Sequence, residues 1–185
     1  MATKKQKTSI VLLVLVFALP VVLAKFALEL DWFNKGATNK GTLLSPTLEA
    51  ESLLLDAQRK WHLMYVLPEN CELSCQNAIY AISQVKTAVG RESDRVNVLV
   101  ITTEQSDDQA VASLATENTI EVLRKDAENV NNVFKDVGVD AIFISDTLHN
   151  VVLSYPVTQD KDQAIMDSRD ILADLRKLLK LSRIG

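Results

Sequence analysis

An α/β domain, in which a mixed β-sheet flanked by helices follows a single apolar N-terminal segment, is the fold class the sequence predicts. Three patterns lead to it. The run Ile10 to Ala24 is apolar throughout. Between two strand-like runs, Trp61 to Leu67 and Val96 to Ile101, apolar residues recur at helical spacing. Later, two short β-rich runs are followed by a long amphipathic stretch to the C-terminus. With 185 residues, 48% of them hydrophobic, five glycines and two cysteines, the composition excludes disorder, collagen-like repeats and a disulfide-dense mini-protein.

The N-terminal segment predicts a membrane anchor. A bilayer core asks for about 20 apolar residues, and Ile10 to Leu30 supplies them if Lys25 carries its amine out to the headgroups. Lys4, Lys5 and Lys7 then hold the N-terminus in the cytoplasm, and Trp32 and Phe33 form an interfacial anchor on the far side. A cleaved signal peptide is the competing reading, because Val22-Leu23-Ala24 resembles a small-residue cleavage site. Both readings export the remainder. The expected division is a tail over 1–9, an anchor over 10–30, a linker over 31–48 rich in polar residues with Gly36 and Gly41, and one folded domain over 49–185.

Removing the four lysines and Glu29 of the first thirty residues from totals of 20 basic and 24 acidic leaves 16 and 23, a net charge of −7. An acidic domain is repelled by phosphate backbones, so nucleic acid is excluded as a partner.

Within the domain, Trp61 to Leu67 is aromatic and branched and stops at Pro68, as a strand entering a loop does. Ala78, Ile82, Val85 and Val89 mark one face of a helix that Gly90 ends. Val96 to Ile101 reads as a strand covered on both faces. Ala110, Val111 and Leu114 indicate a short helix in an acidic stretch, and Thr119 to Leu123 an edge strand. Asp126 is placed to cap a helix with Val130, Val133, Phe134 and Val137 inward, closed by Gly138. Ala141 to Ser145 and Val151 to Tyr155 are strands joined by the turn-rich Asp146 to Asn150. A last helix spans Lys161 to Leu181 with Ile165, Leu172, Leu175 and Leu179 inward and Asp160 at its cap. This order, βαβ, α, β-hairpin, α, is that of a thioredoxin-like domain, with the first two strands parallel across their crossover helix.

The chemistry rests on Cys71 and Cys75. Cys71 falls in the loop after the first strand and Cys75 in the first turn of the helix, so the two side chains share one face within disulfide reach. A helix N-terminus favours a thiolate, and Cys71, nearer the loop, is the candidate nucleophile. Glu69 and Glu72 oppose that effect. Two thiolates at this spacing also suit Cu(I). A structural disulfide is the third reading, although a bridge closing so small a loop gains little by chain entropy.

The stretch Trp61 to Pro68, followed by Cys71-Glu72-Leu73-Ser74-Cys75 and a helix, resembles the SCO/SenC family, membrane-anchored thioredoxin-like proteins that help build the binuclear copper centre of cytochrome c oxidase. The likeness is closer to a small bacterial membrane branch associated with the same oxidase. There, the anchor is followed by a segment like Trp32 to Leu44 and the helix by one like Gln84 to Val98. The resemblance implies a periplasmic domain anchored once in the bacterial inner membrane, and a partner that is the oxidase copper-site subunit or its copper chaperones. The expected activity is thiol–disulfide exchange by Cys71 and Cys75, with no cofactor required. Copper, held by the same two cysteines, is the alternative cargo, and a noncatalytic scaffold is the other alternative.

One departure narrows that expectation. The SCO family adds a copper-ligating histidine, in an Asp-His pair just before the first hairpin strand, where this chain reads Val139-Asp140-Ala141. His62 starts the first strand, roughly 16 Å from the dithiol end at about 3.3 Å per residue, and His149 lies in the hairpin connection at the remote end. Both are expected to be structural or surface residues, and Met64 a core residue. Asp140 also stands where thioredoxins place a cis-proline, which argues against a general oxidoreductase.

Overall fold

The computed structural model describes residues 4–29 and 38–182. The chain divides into two units, residues 1–38 and 39–185. In the first, Lys4–Glu29 forms helix α1 with Pro20 inside it. Side chains are described for residues 12–27 of this helix. Among the described residues no helix is long and apolar enough to cross a membrane, so the expected anchor over 10–30 is not supported. Leu30, Trp32, Phe33 and Gly36 lie outside the described residues.

The second unit is built on β2 (Trp61–Val66), a strand buried along its whole length. From it the chain enters α3 (Leu73–Val89), whose Ala78, Ala81, Ile82, Val85 and Val89 face the sheet. Gly90, at φ 73°, ends the helix in a conformation that costs other residues a steric clash. A 3-10 turn leads into β3 (Val96–Thr102), parallel to β2 with Trp61 opposite Val96. Next come α4 (Asp108–Leu114), β4 (Glu121–Arg124) and α5 (Ala127–Phe134). Asp126 sits at the N-cap of α5 but makes no side-chain cap bond. β5 (Ala141–Ser145) and β6 (Asn150–Pro156) form the hairpin, and α6 (Lys161–Leu181) closes the domain, capped by Asp160 through the N–H groups of Asp162 and Gln163.

The linker expectation fails over its second half. Thr42–Glu49 is a strand, β1, antiparallel to β6 with a register shift between Leu43 and Leu48, and a short helix α2 (Glu51–Leu54) follows. The sheet order is β1-β6-β5-β2-β3-β4. Pro46 is tolerated because β1 is an edge strand. One apolar layer joins the sheet to α3 and α6 through Ile82, Val98, Ile171 and Leu175. The other lies under α2 and α5 around Leu53, Leu54, Met64, Phe134 and Phe143. Met64 is thus a core residue, as expected.

β1 is held by a polar contact as well as by its ladder. Asp174, buried on α6, accepts from the Lys40 and Gly41 N–H groups at 2.6 and 3.0 Å and from the Tyr155 hydroxyl at 2.9 Å, while Lys177 lies 3.3 Å away. Burial pushes the Asp174 carboxyl up, but the bonds from Gly41, Tyr155, Lys40 and Lys177 outweigh it and hold it below the usual carboxylate value. A Cβ on Gly41 would stand 2.4 Å from Tyr155 Cζ, and that ring is itself buried. Gly41→Ala is therefore expected to cost about 3 kcal/mol by overpacking and loss of the Tyr155–Asp174 bond. Urea unfolding reads it.

Candidate functional site

Parallel pairing of β2 with β3 delivers both of their C-terminal ends to one edge of the sheet, and the dithiol sits there. Cys71 and Cys75 are joined by a disulfide, with Cα atoms 5.1 Å apart. Cys75, in the first turn of α3, is 1% exposed and packs in the core, whereas Cys71 is only partly buried. The bridge thus has one sulfur-bearing residue at the surface and one behind it. That asymmetry suits a pair in which the outer residue meets a partner and the inner one resolves the product.

The loop after β3 fixes the loop that carries Cys71. Ser106 Oγ donates to the Leu67 carbonyl at 2.7 Å and accepts from the Thr103 N–H at 2.9 Å. The Asp107 N–H donates to the Pro68 carbonyl at 2.9 Å. Its carboxylate accepts from the Cys71 N–H at 3.1 Å through Oδ2 and caps α4 through Oδ1, from the N–H groups of Gln109 and Ala110. Hydrogen bonds from Ala110 and Cys71 outweigh the opposing effect of burial and, with a lesser one from Gln109, keep the Asp107 carboxyl below its ordinary value. The sequence pattern did not mark Asp107 as a site residue. Its signal was an Asp one residue ahead of a short helix in an acidic run, the signature of an N-cap.

This fixed negative charge at the Cys71 backbone, with Glu69 and Glu72 in the same loop, opposes the thiolate-stabilising N-terminus of α3. Asn caps helices about as well as Asp. Asp107→Asn is therefore expected to keep the fold and to raise the rate at which iodoacetamide alkylates reduced Cys71 at neutral pH several-fold. Mass spectrometry of quenched samples measures it.

Neither histidine reaches this site. His62 is opposite Ser145 and Tyr65 opposite Ile142 in the β2–β5 pairing, which puts His62 at the far end and Asp140 at the dithiol end. Asp140 stands near enough to Tyr65 to reinforce burial in pushing that phenol up to about 12. His62 and His149 are both buried and lie against each other, ring centroids 6.0 Å apart. His149 has φ 67°, in a turn that the Asp146 carboxylate stabilises by accepting from the Leu148 and Asn150 N–H groups. Both are structural residues, as the sequence implied. Among the described residues, buried His149 Nε2 and Ser145 Oγ have no hydrogen-bond partner.

A copper ion is the group the family resemblance brings to this site. The reduced pair offers two soft thiolates, but no histidine stands beside it, and the described residues hold no group of three or more His, Cys, Asp or Glu side chains placed for a metal. The donor set of the SCO family is therefore incomplete in this chain.

A βαβ unit, a β-hairpin and a closing helix, with a CxxxC disulfide where the first parallel strand meets its helix, define a thioredoxin-like protein. The chain belongs to the family described as transmembrane-like, thioredoxin-like, C-terminal domain, which it matches over residues 61–182. No curated protein matches it. Among solved structures it is similar to apo Sco1 from Thermus thermophilus, at 19% identity and a TM-score of 0.55, over 76% of this chain and 96% of that one. It is also similar to a SCO1/SenC family lipoprotein from Bacillus anthracis, at 13% identity and a TM-score of 0.50, over 78% and 98%. The SCO-like fold read from the sequence is thereby borne out.

Proposed function

We propose that this chain is an accessory factor in cytochrome c oxidase assembly, acting on the exported side of the bacterial inner membrane by thiol–disulfide exchange with the cysteines of a copper site. The observation that carries the exchange chemistry is the asymmetry of the bridge, Cys71 partly exposed and Cys75 buried behind it. In the reduced chain the Cys71 thiolate attacks a partner disulfide, forming a mixed disulfide and releasing one partner thiol. Cys75 then attacks Cys71 Sγ, closing the bridge seen in the structure and releasing the second partner thiol. Two electrons pass to the partner, and an external dithiol donor restores the chain.

The assembly role is supported by the SCO-like fold together with the quoted motif. The missing third ligand favours delivery of electrons over carriage of copper. Attachment to a membrane is supported by α1, on which Leu12, Phe17 and Val21 are each more than half exposed.

Cells producing the full chain as Cys75→Ser provide the test. A reductant-sensitive adduct with the oxidase copper-site subunit or a copper chaperone, recovered from the membrane fraction, is the expected result. No such adduct, together with normal oxidase in a deletion strain, overturns the proposal. Anaerobic titration of the reduced protein with Cu(I) separates the carrier reading. Affinity no greater than that of a double Cys→Ser variant is expected.

A further inference from the structure

Beside Cys71, between α3 and α4, lies an open groove of about 590 Å³. Ile79 and the half-exposed Tyr80 give it an apolar side, and Asp107 and Glu117 give it negative charge. Its charged lining residues have one sign. From Trp61 to Val85 and from Val96 to Ile120 the chain carries Glu69, Glu72, Glu104, Asp107, Asp108 and Glu117, and no lysine or arginine. A second depression, adjoining the first at Asp107 and Gln109, is lined by Glu69, Glu104 and Asp108 with only uncharged polar residues otherwise.

We propose that this groove docks a cationic, cysteine-bearing segment of a partner protein, presenting its sulfur to Cys71. The inference rests on the exchange reading and goes beyond it by naming the chemistry of the substrate segment. A segment that reaches Cys71 through either depression meets a lining that carries carboxylates and, among the described residues, no lysine or arginine. Lysine or arginine near the partner's cysteine gains from that field, and an acidic segment loses. Tyr80 adds an aromatic surface suited to an aliphatic or guanidinium side chain. The same field disfavours anionic small thiols.

Competing explanations for selectivity are separated by a rate assay on the full chain carrying Cys75→Ser. Short peptides with one central cysteine, bearing lysines, serines or glutamates several positions away, are coupled to thionitrobenzoate. The Cys71 thiolate attacks the peptide sulfur, a Cys71–peptide disulfide forms, and thionitrobenzoate leaves with the electron pair and is read by absorbance. The lysine peptide is expected to react about tenfold faster than the glutamate peptide at low ionic strength. The ratio should shrink toward unity as salt rises from about 0.05 to about 0.5 M. Glu69→Gln with Glu117→Gln should reduce the ratio at least threefold, whereas Glu128→Gln, on α5 at the opposite face of the sheet, should leave it unchanged. Equal rates for the three peptides, or a ratio indifferent to salt and to the groove substitutions, overturn the docking proposal while leaving exchange intact. Failure of every peptide to react overturns the exchange reading itself.

Discussion

Replacing Cys71 with serine is expected to reduce exchange with any disulfide substrate to the uncatalysed background, while Cys75→Ser preserves the first attack and stops at the mixed disulfide. The difference follows from position. Cys71 is held at the mouth of the groove by the bond from its N–H to Asp107, and Cys75 is sealed in the core at 1% exposure. A buried sulfur is reached by Cys71 Sγ and by little else, which is what a resolving thiol requires. Both variants should stay folded. The bridge closes only the short loop from Cys71 to Cys75, worth about 2 kcal/mol by the chain-entropy estimate. Stopped-flow release of a chromogenic thiol distinguishes the variants. Equal activity in both would show that the two cysteines do not divide the roles.

The second large effect is on acid stability and arises at the opposite end of the sheet. Burial is the main cause, and then the neighbouring His149, that holds His62 down at about 4 from its ordinary 6.5; the Gln58 carbonyl opposes this and Lys60 adds to it. A histidine with a depressed folded-state value binds its proton more readily when unfolded. Stability from the neutral ring is therefore complete above about pH 6.5 and is lost as pH falls from there toward 4. The shift corresponds to about 3 kcal/mol. His62→Leu removes that slope and, because it replaces a fully buried polar ring with an apolar side chain, should stay close to the parent in stability at pH 7. Asp174 is lowered too and loses its contribution in more acidic solution. The diagnostic quantity is thus the difference between parent and His62→Leu across urea titrations from pH 7 to 4. A difference that does not change with pH would contradict the assignment.

The βαβ unit and the dithiol were legible in the sequence for a physical reason. β2 and β3 are buried on both faces and so read as unbroken apolar runs, and α3 carries its core face at strict helical spacing. α6 was legible by the same periodicity, although Ala164, Ile171 and Asp174 are buried on it and Ile165 and Leu172 only partly so. β1 was not legible. As an edge strand most of its residues are exposed, it contains Pro46, and it is preceded by Gly41, all of which read as linker. What makes it a strand is remote: the β6 ladder, which pairs Thr42 with Ser154 and Glu49 with Asn150, and the Asp174 carboxylate, more than 130 residues from the Lys40 and Gly41 N–H groups it accepts from. Asp107 was hidden because an acidic run reads as a solvated face. Its contact with Cys71 depends on the parallel pairing that brings two loops together. The helix α2 depends on Leu53 and Leu54 finding the second apolar layer, which no local pattern announces.

The central claim, that Cys71 and Cys75 form an exchanging pair, is tested most directly by the reduction potential of their disulfide in the full chain, measured against glutathione or dithiothreitol buffers. A midpoint between about −270 and −120 mV, the range of working thioredoxin-like dithiols, is expected. A midpoint below about −300 mV, with the bridge resistant to reduction by a dithiol donor, would contradict it and assign the bridge a purely structural role.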